Sequence, residues 1–412
     1  MRKLTINFFL FLILQGGLSA QEPTNPPATG NVPFLNLQAN RIVLPDSSRE
    51  KFAVLNEKLY SLRTLKTGTI HFLQLGDSHI QADFLTARVR DQIGPLLQCS
   101  LAGRGLVFPY RFAATNNPEN YRFYSSNHWE ADRSVNRASE GTAALAGVSV
   151  YTRDTLIRFS IKLIDKTAPV VPFTHLDLYY SFPFPIRETE ATGLLLDSLV
   201  NPGTGIQCLK LLFNQLKDSV CITLHLPAGI NTPFYFHGLS LANGHPGIIY
   251  SALGSNGASA ESYLRSKLML DQLALVNPDV LIISLGTNDA YERPFYMDRF
   301  RTQYDSLLEM IEQTFPKLPI VLTTPGDAWH RDHKTNSKIF PVREEILALA
   351  AKHGCAVWDL YTIMGGHEVM NKWYQAGLAR KDRLHFSKQG YALLGDLFSN
   401  AWAGFYNPEN TQ

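Results

Sequence analysis

What this chain lacks narrows it first. It has no block of like charge: 38 Lys and Arg are interspersed with 36 Asp and Glu. Nucleic-acid binding needs a basic footprint, so that class finds no support. Beyond the N-terminus no run is apolar for the ~20 residues that a membrane span takes. Cysteine is scarce, and Cys99, Cys208, Cys221 and Cys355 fit no zinc-ligand spacing. A chain of 412 residues has enough core to do without disulfide staples. The four are read as structural thiols, with pairing left open. What is present, 45% hydrophobic and 18% charged residues, suits a well-packed globule, and the length favours two folded units.

The N-terminus reads as an export signal. Arg2 and Lys3 give the positive start, residues 8–14 a short apolar core, and Leu18-Ser19-Ala20 a small-residue cleavage site before Gln21. The apolar run is too short for an anchor, and no Cys follows it for lipidation. The expected product, cleaved after Ala20, is an exported periplasmic or extracellular monomer with no transmembrane segment.

Residues 21–46 are rich in Pro, Asn and Thr and read as a linker or extended arm. Helical spacing of Phe52, Leu55, Leu59 and Leu62 follows, then a strand over 69–75 that ends in Gly76-Asp77-Ser78-His79, then a second helical stretch. From 247 onward strands alternate with helices: strands at 247–253, 280–285, 319–324 and 355–360, helices at 259–275, 298–315, 340–353 and 387–405. That alternation predicts an α/β fold, a doubly wound, flavodoxin-like parallel sheet whose ligands bind at the strands' carboxyl ends. Between these parts the helical pattern vanishes. Strand-like runs at 156–163, 174–182, 220–226 and 234–241, with turns such as Asn201-Pro202-Gly203, predict an inserted β-sandwich. Its many aromatics, among them Tyr110, Phe112, Tyr121, Tyr124, Trp129, Tyr179, Tyr180 and Phe182, are expected mainly in its core. The expected organisation is a signal at 1–20, an arm at 21–46, an α/β domain at 47–105 and 247–412, and the insert at 106–246.

Ser78 stands where a buried strand gives way to a helix. A serine there often only caps the helix, but a hydroxyl at a sheet's top edge can also be a nucleophile if a base reaches it. Asp382 and His385, three residues apart before the last helix, fit the base and its orienter. Asn288, in Gly286-Thr287-Asn288-Asp289, follows one strand, and Gly254-Ser255-Asn256-Gly257 follows another. An Asn amide and a glycine-lined N–H suit an oxyanion hole, with Gly254 or Gly257 as the glycine. Asp77 and Asp289 are expected to hold their loops by accepting backbone N–H bonds. His79 and Asp83, four apart on the predicted helix, should share a face and either order the site or pair. Trp329, His330 and His333 fall in a loop that borders the pocket, where Trp329 either stacks on a sugar or packs on the domain.

These blocks, GDSH at 76–79, the Gly257 loop, GTND at 286–289 and DRLH at 382–385, resemble in order those of the SGNH (GDSL-like) hydrolases. The resemblance covers about 69–98 and 247–405. It implies a catalytic Ser78, Asp382 and His385, and an oxyanion hole of the Ser78 N–H, Gly257 and Asn288. GDSHIQAD at 76–83, the 238–258 segment and an inserted β-domain further resemble the periplasmic peptidoglycan O-acetylesterases, whose insert is similar to a carbohydrate-binding module. The sequence departs at Ile80, where Thr is expected. The resemblance implies an esterase acting on an O-acetylated glycan, peptidoglycan first; that chemistry needs no cofactor or metal, and by their positions His79, Trp329 and His330 are expected near substrate. An O-acetyltransferase with the same triad, a glycan-binding protein on a hydrolase scaffold, and a lipase or thioesterase remain as alternatives.

Overall fold

The computed structural model describes residues 32–406, apart from 167–168, 185, 187, 201–204 and 331. The expected export signal with its cleavage point, the first part of the expected 21–46 arm and the expected Asn201-Pro202-Gly203 turn lie outside the described residues.

Strands made of unbroken apolar runs can only be buried on both faces. Val280–Ser284 and Gly247–Gly254 are nearly such runs, and they flank Thr69–Gly76 inside a seven-stranded sheet. Its order is Ile42–Val43, Ala356–Trp358, Ile320–Thr323, Val280–Ser284, Thr69–Gly76, Gly247–Gly254, Leu101–Gly103. All neighbours are parallel except the first pair, in which Ile42 opposes Trp358 antiparallel. Side chains alternate across it. Ile70, Phe72, Val280 and Ile282 pack under the helices Arg49–Thr64, Phe84–Leu96 and Lys388–Phe405. Leu73, Leu75, Leu281 and Ile283 pack the other way, under Met269–Val276, Met297–Thr314 and Ile339–His353. The sheet is thus doubly wound.

The chain leaves this sheet at Leu101–Gly103 and enters another at Gly105–Val107, which pairs with Phe234–Ala242. Between them fold two antiparallel sheets. One orders Glu188–Ala191, Ser219–His225, Leu156–Leu163 and Tyr121–Ser125; the other holds Leu194–Val200, Gln207–Lys217, Phe173–Ser181, Phe234–Ala242, Val148–Thr152 and Glu130–Arg133. They meet through Phe123 and Phe159 against Phe236, and this core runs on into that of the parallel sheet. Tyr110, Tyr121, Tyr179, Tyr180 and Phe182 are buried there, whereas Tyr124 is exposed. Cys208 is buried in one sheet and Cys221 exposed on the other; all four cysteines are free.

The helix expected at 259–275 is two, Ala260–Leu264 and Met269–Val276. The break comes where the Leu268 N–H leaves the helix to donate to the Ala143 carbonyl of the insert.

Candidate active site

The strand Thr69–Gly76 delivers Asp77 and Ser78 to the sheet's carboxyl edge. Asp77 starts the next turn by accepting the His79 N–H at 2.9 Å, and Ser78 opens the short helix Ser78–Gln81. N–H groups in a first helical turn have no intrahelical acceptor, which leaves that of Ser78 available to a ligand.

The 382–385 loop comes down on this edge. Arg383 takes a left-handed turn (φ 49°), which lets the Asp382 carboxylate fold back. Its Oδ1 accepts the backbone N–H of Leu384 and of His385, each at 3.0 Å, and its Oδ2 lies 2.8 Å from His385 Nδ1. Burial alone would raise the Asp382 pKa, but the His385 ring and these two N–H groups outweigh it and hold the carboxyl down at about 2. An ionised carboxylate fixes the ring proton on Nδ1. Nε2 then faces Ser78 Oγ at 3.1 Å as an acceptor.

The loop is clamped from outside. The Arg383 guanidinium lies 4.1 Å from the ring centres of both Trp329 and Tyr374, its Nε donates to Asn371, and the Trp329 N–H donates to the Arg383 carbonyl at 2.8 Å. Trp329, placed near substrate by sequence, therefore has one ring face on Arg383. His330 is 7% exposed, stacked on Tyr291 at 4.5 Å and bonded by Arg293. His79 is half-buried, with Nδ1 2.9 Å from the Tyr391 hydroxyl and its ring 5.3 Å from that of His385. Burial and the neighbouring His385 push its pKa down to about 3, so it stays neutral.

The two candidate glycines differ in kind. A Cβ on Gly254 would sit 2.5 Å from the Asp77 carbonyl, and the Gly254 N–H already donates to the Tyr110 hydroxyl at 3.1 Å. That glycine serves close packing. Gly257 has φ +83° and open space where its Cβ would be. Asn288 stands beside it. Its Nδ2 donates to the Ala258 carbonyl at 2.9 Å and to Asp77 Oδ2 at 3.2 Å. Asp77 and Asp289 are both buried, which raises their pKa values to about 6 and about 7. Each takes a backbone N–H, Asp289 from Ala260 at 3.1 Å.

His79 and Asp83 do not share a helix face. The helix ends at Gln81, and Asp83 turns left-handed (φ 57°) into the interior. There it meets Arg90 and Arg104, with Asn120 and Thr86 completing its shell. Sequence reasoning also gave no role to Gln81. Its Oε1 takes the Asn256 N–H at 2.6 Å, while its Nε2 reaches the Asn116 carbonyl and Thr115 in the insert. Nothing in a run of residues separates such a bridge from an ordinary helical glutamine.

Residues 228–393 match the sequence profile of the GDSL-like Lipase/Acylhydrolase family. No curated protein matches the chain. Among solved structures, a peptidoglycan O-acetylesterase shares the fold with TM-score 0.70 and 20% identity, over 85% of this chain and 95% of that one. A lipase/acylhydrolase from Enterococcus faecalis is 25% identical over 39% of this chain and 79% of its own (TM-score 0.32). An acetylxylan esterase from Geobacillus stearothermophilus is 23% identical over 38% and 72% (TM-score 0.31).

Proposed function

We propose that this chain, a carboxylic-ester hydrolase of the GDSL-like acylhydrolase kind, removes O-acetyl groups from a glycan by way of an acyl-Ser78 intermediate. The observation that carries the reading is the unbroken hydrogen-bond chain from Asp382 through His385 to Ser78.

In this mechanism Nε2 of His385 takes the Ser78 proton as Oγ attacks the ester carbonyl, then returns it to the departing sugar oxygen. Asp382 stabilises the imidazolium formed between. The oxyanion is met by the N–H groups of Ser78 and Gly257 and by Asn288, whose longer bond, to Asp77, is the one exchanged for it. Water activated by His385 then releases acetate. No step calls for a metal or organic cofactor.

A fold shared with a peptidoglycan O-acetylesterase supports peptidoglycan as the glycan, and an N-terminus that reads as an export signal supports action outside the cytoplasm. The test is acetate release from O-acetylated peptidoglycan and from acetylated xylan, with wild type and Ser78→Ala. Release by the wild type alone is expected. Acetate appearing on an added acceptor glycan instead of in solution would replace hydrolysis by acetyl transfer, and glycan binding with no turnover of any ester would end the enzymatic reading.

A further inference from the structure

The segment after the insert's edge strand Glu130–Arg133 borders the candidate site. A groove of about 300 Å³ runs between Val135 and Arg137 of the insert and Glu261 and Arg265 of the hydrolase domain, and Gly257 and Asn288 form part of its wall. The groove therefore opens on the candidate oxyanion residues.

Cations are plentiful along this seam, and nearly all are matched. Arg137 lies 3.7 Å from Glu292, Arg265 3.1 Å from Glu261, and Arg299 2.8 Å from Glu261. Arg133 is the exception. No carboxylate among the described residues pairs with it. Its Nε is buried without a hydrogen-bond partner, and its Nη2 only approaches the Asn256 carbonyl, at 3.5 Å. Asn256 is the residue before Gly257, and Gln81 ties it to the Ser78 helix. A half-buried guanidinium with no counter-charge is a costly arrangement in a free protein. Its forked Nη end, beside the carbonyl of Asn256 and so next to the groove residue Gly257 in sequence, is the part that a carboxylate would meet. Burial acting alone lowers the Arg133 pKa, consistent with an unmatched cation.

We propose that Arg133 anchors a substrate carboxylate, so that the insert selects O-acetylated glycans bearing a free carboxylate on or next to the acetylated sugar. The proposal rests on the glycan-deacetylase reading above. Two sources share this chemistry: the carboxylates of peptidoglycan, on the stem peptide or on the lactyl group where no peptide is attached, and the ring carboxylates of polyuronates.

Acetate release is measured on O-acetylated peptidoglycan fragments and on an O-acetylated polyuronate, each before and after amidation of its carboxylates, with wild type, Arg133→Gln and Arg133→Lys. For the wild type, amidation should lower kcat/KM by about tenfold or more on the arm whose carboxylate is the ligand, as loss of a charged hydrogen-bonded pair does. For Arg133→Gln the ratio between the two forms should be near one. Arg133→Lys, a point charge without the fork, should fall between. If amidation leaves the wild type unchanged on both arms, or slows wild type and Arg133→Gln alike, the proposal is overturned. The wild-type comparison stands even if the variants fail to fold. Wild-type silence on every glycan overturns the deacetylase reading itself, and Arg133's role with it, and is recognised by that silence.

Discussion

Asp382 grips His385 twice, once at the ring Nδ1 (2.8 Å) and once at the backbone N–H (3.0 Å). The proposed orienter and base thus form one hydrogen-bonded unit, four residues long. In Asp382→Asn the amide oxygen can keep the backbone bonds only by turning its nitrogen, a donor, to Nδ1, which favours the ring proton on Nε2. With that tautomer favoured, kcat should fall by about 10²–10⁴, read as initial rates on 4-nitrophenyl acetate. The Asp382 carboxyl, held at about 2, lies below its unfolded value. The stability it contributes should be complete above about pH 4 and lost only as pH falls towards 2.

Ser78→Ala removes the proposed nucleophile and little else, since Ser78 Oγ bonds only His385 among the described residues. Turnover of 4-nitrophenyl acetate should drop by about 10⁴ or more, with the circular-dichroism spectrum and Tm close to wild type. Comparable activity in the variant would remove Ser78 from the mechanism.

The clamp on Arg383 makes a different prediction. If Trp329 serves the loop, Trp329→Ala should lower kcat on small and glycan esters together, by about tenfold, because a slightly misplaced base is felt in every acylation. A rise in KM confined to the glycan would instead make Trp329 a sugar platform.

Among the described residues, Asp83 is the sole carboxylate bonded to the buried Arg90 and Arg104. Asp83→Asn strands both charges. A loss of about 3–5 kcal/mol is expected in urea unfolding at neutral pH. The gap between the two proteins should narrow in acid, as protonation of Asp83 takes the same charge from the wild type. A variant as stable as wild type would show that Asn120 and the backbone suffice.

Asp289 predicts the opposite slope. Burial lifts its pKa from 3.8 to about 7, so the folded state holds a proton that the unfolded chain has lost. Relative to Asp289→Asn, the wild type should lose stability as pH rises from about 4 to about 7 and level off beyond. The total is on the order of 2–4 kcal/mol. Tm measured against pH for both proteins gives the difference directly; a flat difference would contradict the buried, protonated carboxyl.

What the sequence made legible followed periodicity. Leu156–Leu163 alternates buried and exposed side chains along its length, and its bounds were readable to the residue. Leu194–Val200 was not, because Leu195, Leu196 and Leu199 are exposed and its apolar run has no second period. Tyr121–Ser125 and Glu130–Arg133 are too short and too polar to stand out from turns. At the site, motif order pointed to Ser78 and His385, which meet although 307 residues apart. The left-handed turn at Asp83 was hidden, since Asp83 fits the helical spacing and only the buried Arg90 and Arg104 draw it away.

The bridge made by Gln81 carries a lesson for protein engineering. One side chain, three positions past Ser78, holds the Asn256 loop with one end and the insert with the other. Asn120 likewise reaches out of the insert to Asp83. The β-domain is therefore tied into the proposed site and cannot be traded as a detachable cassette. A chimera that swaps it for a foreign module, however well each half folds, inherits a misset Gly257 loop unless Thr115, Asn116 and Asn120 travel with the graft.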